Sequence, residues 1–230
     1  MTDYLERTTL LIGDAAQNKL ASSFVAVVGL GGVGGHCADA LARAGVGRLH
    51  IVDADIVQQS NLNRQLIATK STVGHKKTDA MEARIHEVSD CAVTKSDLFV
   101  TPENVDKALV DGLDFIVDAI DSMAGKLALI GYAAGHGIPI VSCMGAGNRL
   151  DPARFSVKDV YSTSGDPLAR KLRQNLRKME IASLPVVCSD EAPHVAPSQR
   201  VIGSIAPVTG TAGMTAAGYV LRCLIAGYLE

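Results

Sequence analysis

Tryptophan is absent from this 230-residue chain, and aromatic residues make up only 4 % of it. With 47 % apolar residues, the core must be built from Val, Ile, Leu and Ala, a composition suited to a parallel sheet with helices on both faces. Cysteine is scarce and scattered. Cys37, Cys91, Cys143, Cys188 and Cys223 are five in number, and no two form a C-x-x-C pair. Such a set argues against a disulfide framework and a structural zinc site, and it fits a reducing, cytoplasmic setting. Excess charge is also missing. A formal net charge of −2 selects no polyanion globally, although a local patch can still bind one. Internal repeats and low-complexity tracts are absent. The opening MTDYLERTTLLIG has early acids and no long apolar run, so it does not read as a signal peptide. The C-terminal run from Gly213 to Leu229 nears spanning length, but Arg222 interrupts it, and Gly213, Ala216, Ala217 and Gly218 dot it. A charge at mid-membrane costs roughly 3 kcal/mol. The run reads as a helix buried against the sheet, with membrane association as the alternative.

The most informative stretch is Ser23 to Arg64. An apolar run, Phe24 to Val28, leads into Gly29-Leu30-Gly31-Gly32-Val33-Gly34. A helical pattern follows to about Ala44, and a second apolar run, Leu49 to Val52, ends at Asp53. This is the layout of a nucleotide-binding βαβ unit. Gly29 suits the tight turn, Gly31 the approach of backbone to phosphate, and Gly34 the packing of helix on strand. The helix N-terminus offers free N–H groups to an anion, and Asp53 stands where a carboxylate can accept from ribose hydroxyls. Taken alone, Gly29 to Asp53 reads first as a Rossmann NAD(P) enzyme of unspecified kind.

Further along the chain, residues 3–21 read as an amphipathic helical lead-in with Leu10, Leu11 and Leu20 on its apolar side. It contains Arg7, which taken alone is a solvated arginine. Residues 54–73 are too long for an ordinary βα connection and hold Asn61, Asn63, Arg64 and Gln65. A helix from about Val73 to Val88 places Lys76 and Lys77 near its start. There a cation is unfavourable without an anion nearby, so the pair is either a hint of phosphate or two solvated lysines. Strands are expected at 92–100, 113–119 and 138–143, and a helix at 122–136. The second of these strands ends in Asp118-Ala119-Ile120-Asp121-Ser122, where an acid just past a strand end could hold a metal ion or merely cap the next helix. After Gly147 the periodicity fades. A short strand segment is expected in 151–163, then a helix at 166–179 with Leu168, Leu172, Leu176 and Met179 as its apolar stripe. Arg170, Lys171, Arg173, Arg177 and Lys178 fill the rest of that helix. They are either a solvated face or a phosphate-backbone contact. Residues 180–206 read as a loop or flap holding Cys188, and a last helix begins near Val208. The expected architecture is a single α/β domain over 1–230, with a doubly wound, mostly parallel, Rossmann-like sheet. It comprises a lead-in at 1–22, a substrate-side insertion and flap at 148–206, and a C-terminal helix at 207–230.

One ordered set runs through these readings: Gly29-x-Gly31-Gly32-x-Gly34, Asp53-x-Asp55, Asn61-x-x-Arg64-Gln65, Gly74-x-x-Lys77 and Asp118-x-x-Asp121. It resembles the adenylating superfamily of ubiquitin-activating enzymes and the bacterial ThiF and MoeB proteins. The resemblance implies that Asp53 holds the ATP ribose, that Asn61, Arg64 and Lys77 contact its phosphates, and that Asp121 binds Mg2+. It further implies a homodimer in which Arg7 reaches the partner subunit's ATP. The residue types agree with adenylation. A carboxylate attacking the α-phosphate is already ionised and needs no general base, whereas the charge gathering on phosphate oxygens needs cations and donors. The two C-x-x-C pairs of the ThiF and MoeB zinc site are missing. Instead Gly145-Ala-Gly147, Asp151-Pro152, Val157-x-Asp159 and Thr163-x-x-Asp166-Pro167-Leu168 resemble the threonylcarbamoyladenosine dehydratase branch of that superfamily. That branch implies a tRNA substrate and no DNA, with Arg149, Arg170, Lys171 and Arg173 as tRNA contacts and a cysteine desulfurase or sulfur-acceptor system as a partner. Ring closure within one molecule requires no acyl-capturing cysteine, so Cys188 is left outside the catalytic set. The alternative activity is adenylation of the C-terminal glycine of a ubiquitin-like sulfur carrier. The remaining rivals are an NAD-dependent dehydrogenase and a scaffold that binds a sulfurtransferase.

Overall fold

The computed structural model describes residues 3–194 and 202–228. Helix α1, Glu6–Ser22, leads into strand β1, Phe24–Val28; α2, Gly34–Arg43, then connects to β2, Arg48–Val52. Next come α3, Lys77–Val88, β3, Ala92–Ser96, the single turn α4, Val105–Ala108, and β4, Phe115–Asp118. The chain continues through α5, Met123–His136, β5, Ile140–Cys143, β6, Phe155–Asp159, α6, Pro167–Lys178, β7, Pro185–Ser189, and α7, Ala206–Ile225. The seven strands form one sheet in the order β3-β2-β1-β4-β5-β7-β6. Every neighbouring pair is parallel except β6 with β7. The doubly wound, mostly parallel architecture expected from the sequence is therefore the one observed.

Strand β1 explains how the sheet is buried. Its residues alternate sides, as a pleated strand requires. Val25 and Val27 join Leu41, Leu49 and Ala216 on one face, while Phe24, Ala26 and Val28 join Ile116 and Leu129 on the other. All five residues are buried, which is why the strand reads as a continuous apolar run. The register sets Val28 beside both Val52 and Asp118, so the carboxyl ends of three strands are level. The winding reverses between β1 and β4, and a crevice opens at that edge.

Several expectations need correction. The stretch 180–206, expected as a loop or flap, contains β7, which is inserted in the sheet between β5 and β6. Val186-Val187-Cys188 is too short for a periodic signal, and burial on both faces removes the alternation. Cys188 thus lies in a strand at 4 % exposure. Residues 195–201 of the expected flap, residues 1–2 of the expected lead-in and residues 229–230 of the expected C-terminal helix lie outside the described residues. The lead-in helix does not present one apolar side to its own core. Gly13 kinks it (φ 82°, ψ 161°), so Leu20 is buried while Leu10 and Leu11 are 81 % and 84 % exposed. Strand β3 stops at Ser96 rather than Val100, and α3 starts at Lys77 rather than Val73. Among the described residues no helix is long and apolar enough to cross a membrane. Instead α7 packs on α2, where a Cβ at Gly213 would lie 2.3 Å from the Val33 carbonyl oxygen.

One buried ion pair locks the crevice edge. Lys126 Nζ and Asp118 Oδ2 are 3.0 Å apart, and both side chains are fully inaccessible. The ammonium also donates to the Cys143 carbonyl at 2.8 Å, and Ser142 Oγ donates to Asp118. Removing one partner strands the other charge in the interior. Lys126→Met should therefore lower unfolding stability by about 3–5 kcal/mol, measured by urea denaturation; a loss below about 1 kcal/mol would contradict the pair's role.

Candidate active site

The crevice at the ends of β1 and β4 is a cleft of about 330 Å³. Its floor is the glycine turn between β1 and α2. Gly29 has φ +92°, and a Cβ there would lie 2.8 Å from the Ala119 carbonyl oxygen. A Cβ at Gly34 would lie 1.8 Å from the Gly29 carbonyl oxygen, so α2 can start this close to β1 only without a side chain. Gly31 and Gly32 line the cleft with Gly29. Within the first turn of α2 the Gly35 N–H donates to the Gly31 carbonyl and the Cys37 N–H to the Val33 carbonyl, each at 3.1 Å, and the helix start carries the partial positive charge that suits an anion.

Asp53, at the end of β2, straps this turn in place. Its Oδ2 accepts from the Leu30 N–H at 2.7 Å and its Oδ1 from the Asp55 N–H at 2.8 Å. Lys77 is the first residue of α3 and is 5 % exposed. Its Nζ lies 2.7 Å from Asp55 Oδ2 and 3.6 Å from Asp53 Oδ2. These carboxylates supply the anion that a cation at a helix start calls for, and they aim the ammonium along the cleft wall. Lys76 behaves differently. It turns away to Asp97 at 2.6 Å, which raises the lysine pKa and lowers that of Asp97. Of the two lysines, Lys77 alone lines the cleft.

The loop after β2 contributes Asn61, Arg64 and Gln65. A short 3-10 turn, Gln59–Asn61, is closed by Asn61 Oδ1 accepting from the Gln58 N–H at 3.0 Å. The Asn61 carbonyl in turn accepts the N–H groups of Arg64 and Gln65 at 3.1 and 3.0 Å. Arg64 Nη1 donates to the Ser60 carbonyl and to Asn63 Oδ1. Gln65 Oε1 is a buried acceptor without a protein partner, which a ligand hydroxyl or amino group can satisfy. On the opposite wall Asp121 is exposed on the cleft, while Ser122 Oγ caps α5. Asp118, from the same motif, is held inside by Lys126 and stays out of the cleft. Sequence reasoning missed the apolar wall of Leu98, Phe99, Val100 and Ile120. The first three read as the end of a strand, yet Phe99 is 59 % exposed. Phe99 is one of only four phenylalanines in the chain, and that rarity was the signal available.

Other expected site residues lie elsewhere. Arg7 is exposed at the start of α1 and does not line this cleft. Arg149, expected as a tRNA contact, is 4 % exposed. It pairs with Asp166 at 3.0 Å and donates to the carbonyls of Gly145 and Glu191. Asp166 is the N-cap of α6. Arg149 therefore ties the start of the basic helix to the loop after β5, at the same sheet edge as the cleft. Arg170 and Lys171 are exposed, and with Arg173 they line a second hollow of about 530 Å³ at that helix start. Arg173 also donates to Thr163 Oγ1. Burial pushes the Cys188 thiol pKa up, which disfavours the thiolate a nucleophile needs.

Geometry and residue types together define a nucleotide-binding α/β protein with a cationic phosphate end. The ThiF family model matches residues 5–228, and the chain belongs to the ThiF family. A tRNA threonylcarbamoyladenosine dehydratase of Bacillus subtilis is 43 % identical over 197 residues, covering 85 % of this chain and 78 % of that protein. One of Escherichia coli is 43 % identical over 171 residues, covering 74 % of this chain and 64 % of that protein. The crystal structure of the E. coli enzyme TcdA in complex with ATP superposes with a TM-score of 0.90 at 38 % identity, covering 97 % of this chain and 94 % of that one.

A methyl group at Gly31 would meet nothing nearer than Gln65 Nε2 at 3.9 Å. Gly31→Ala should leave the melting temperature unchanged, yet weaken ATP binding about tenfold or more by calorimetry, because the methyl stands where phosphate must approach. Unchanged ATP affinity would remove the glycine turn from the nucleotide site.

Proposed function

We propose that this chain uses ATP to adenylate the threonyl carboxylate of N6-threonylcarbamoyladenosine in tRNA, and that ring closure then expels AMP. The observation that carries this reading is the convergence of Arg64, Lys77 and Asp121 on the cleft floored by the glycine turn, in a chain similar over nearly its whole length to an ATP-binding tRNA dehydratase. A carboxylate oxygen attacks the α-phosphorus and pyrophosphate leaves. A nucleophilic atom of the same modification then attacks the acyl carbon, and AMP leaves with the former carboxylate oxygen. The net change is loss of one water from the nucleoside.

The chain's own groups are suited to each part. Leu98, Phe99, Val100 and Ile120 give an apolar seat for a base, and Gln65 Oε1 accepts from it or from the ribose. Asp53, expected to hold the ribose, commits one lone pair of Oδ2 to the turn and one of Oδ1 to the Asp55 N–H; Oδ2 also faces Lys77 at 3.6 Å, and Oδ1 keeps a lone pair for a hydroxyl. Arg64 and Lys77 set cationic donors against the charge that develops on phosphate, with Asn61 beside them. Asp121 fits Mg2+, a hard ion that usually takes one or two protein carboxylates and completes its shell with phosphate oxygens and water. Among the described residues no group of three metal-binding side chains exists. Bound there, Mg2+ would neutralise phosphate charge and favour pyrophosphate departure.

The substrate side is read from α6. Its exposed Arg170 and Lys171, tethered toward the cleft edge through Asp166 and Arg149, suit a tRNA backbone beside the modified base. A homodimer is inferred from Leu10 and Leu11, whose exposure on α1 calls for a second copy. Arg7, on the same helix, is then placed to act in the partner's site. A desulfurase or sulfur-acceptor partner finds no support in a buried, suppressed Cys188.

The test is to incubate the protein with ATP, Mg2+ and threonylcarbamoylated tRNA and then weigh the nucleosides by mass spectrometry. The wild-type protein should give the product lighter by one water, and Lys77→Ala should give none. Reversing charge at Arg170 and Lys171 should weaken tRNA binding and reduce its salt slope by about two, with ATP binding unchanged. An unaltered nucleoside would overturn the activity, and an unaltered slope would return α6 to a solvated face.

A further inference from the structure

Asn63 lies in the loop after β2 but does not line the cleft. Its side chain nevertheless faces two directions. Its Oδ1 accepts from Arg64 Nη1 at 2.9 Å, and its Nδ2 donates to the Ser204 carbonyl at 2.8 Å. A guanidinium only donates and a carbonyl only accepts, so the two partners fix the amide's orientation. Ser204 belongs to the stem that enters α7, and the preceding residue of that stem is itself held. The Gly203 carbonyl accepts from the Asn148 N–H at 2.7 Å, and the Gly203 N–H donates to Asn148 Oδ1 at 2.8 Å. Asn148 has a left-handed backbone, φ +57°, and its own carbonyl accepts from the His194 N–H at 2.8 Å. The next residue is Arg149, whose partner Asp166 caps the basic helix.

We infer that Asn63 is a positioning residue. It holds the Arg64 guanidinium toward the phosphates and, through Ser204, Gly203 and Asn148, keeps it in register with the loop that borders the tRNA side. This rests on Arg64 acting at the phosphates, as proposed above. The arrangement links the two ends of the reaction through hydrogen bonds joined by two single backbone steps, Gly203 to Ser204 and Asn148 to Arg149. The arginine that must face the α-phosphorus and the loop beside the incoming carboxylate are then set by one stem. A misplacement of about 1 Å between reacting groups costs on the order of a hundredfold in rate, so such a link has a direct use.

The experiment is a pair of double-mutant cycles on tRNA-dependent AMP formation under single-turnover conditions, with steady-state constants for ATP and melting temperatures alongside. Asn63 and its bonds are exposed, so Asn63→Ala should melt as the wild type does. It should lower the rate about tenfold, the order expected for losing a charge-assisted hydrogen bond, while the KM for ATP moves less than about threefold. In an Arg64→Ala background, Asn63→Ala should change the rate less than about twofold, because its effect passes through Arg64. Asn148→Gly allows the same backbone conformation and removes the side chain that carries the Oδ1 acceptor; combined with Asn63→Ala it should lose less than the product of the single losses. An equal further loss from Asn63→Ala without Arg64, or multiplicative losses with Asn148→Gly, would overturn the inference. If Arg64→Ala itself turns over at the wild-type rate, the functional reading fails instead. If Arg64→Ala is impaired while Asn63→Ala matches the wild type, this inference alone fails.

Discussion

The structure depends on a contact between two backbones. The start of α2 lies so close to the end of β1 that Gly34 has no room for a Cβ, and Gly29 is closed in by the Ala119 carbonyl beyond β4. Any larger residue would push the helix off the strand and take its N–H groups away from the crevice. Asp53 fixes the same turn from the next strand through the Leu30 N–H, and α7 presses on it from the other side. There, a Cβ at Gly32 would lie 2.9 Å from Thr209 Oγ1. An anion site assembled from backbone needs such buttressing, because its donors have no side-chain freedom with which to adapt.

Electrostatics complete what the turn begins. Lys77 is nearly buried at the start of a helix, a position that disfavours a cation, and it is tolerated because Asp53 and Asp55 stand beside it. The same carboxylate that straps the glycine turn thus helps to hold the lysine that faces it. On the far wall the Asp118–Lys126 pair acts by staying out of the cleft. It anchors the end of β4, while Asp121 is exposed on the cleft. Two acids three residues apart thus have opposite settings, one buried and paired, the other exposed.

Much of this was legible in the sequence. The βαβ unit could be read because its glycines have no substitute and its strands are continuous apolar runs. Asn61 and Arg64 could be read because a long polar loop at the carboxyl edge of a parallel sheet is seldom idle, and Lys77 because a cation at a helix start calls for an anion. What escaped has physical reasons. Strand β7 is too short and too buried to alternate. Leu98 to Val100 form a wall in coil, where no periodicity exists to mark them. The burial of Arg149 escaped because a sequence does not show that Asp166 waits for it 17 residues later. Leu10 and Leu11 match the helical period and yet face outward, since the kink at Gly13 rotates them away from the core that holds Leu20.

The central claim is that a carboxylate, once bound beside this turn, takes the adenylyl group of ATP. Labelling both carboxylate oxygens of the threonyl group with ¹⁸O tests it most directly. One turnover should deliver a single labelled oxygen to AMP and leave pyrophosphate unlabelled. Label in inorganic phosphate together with ADP, or AMP free of label, would contradict the account.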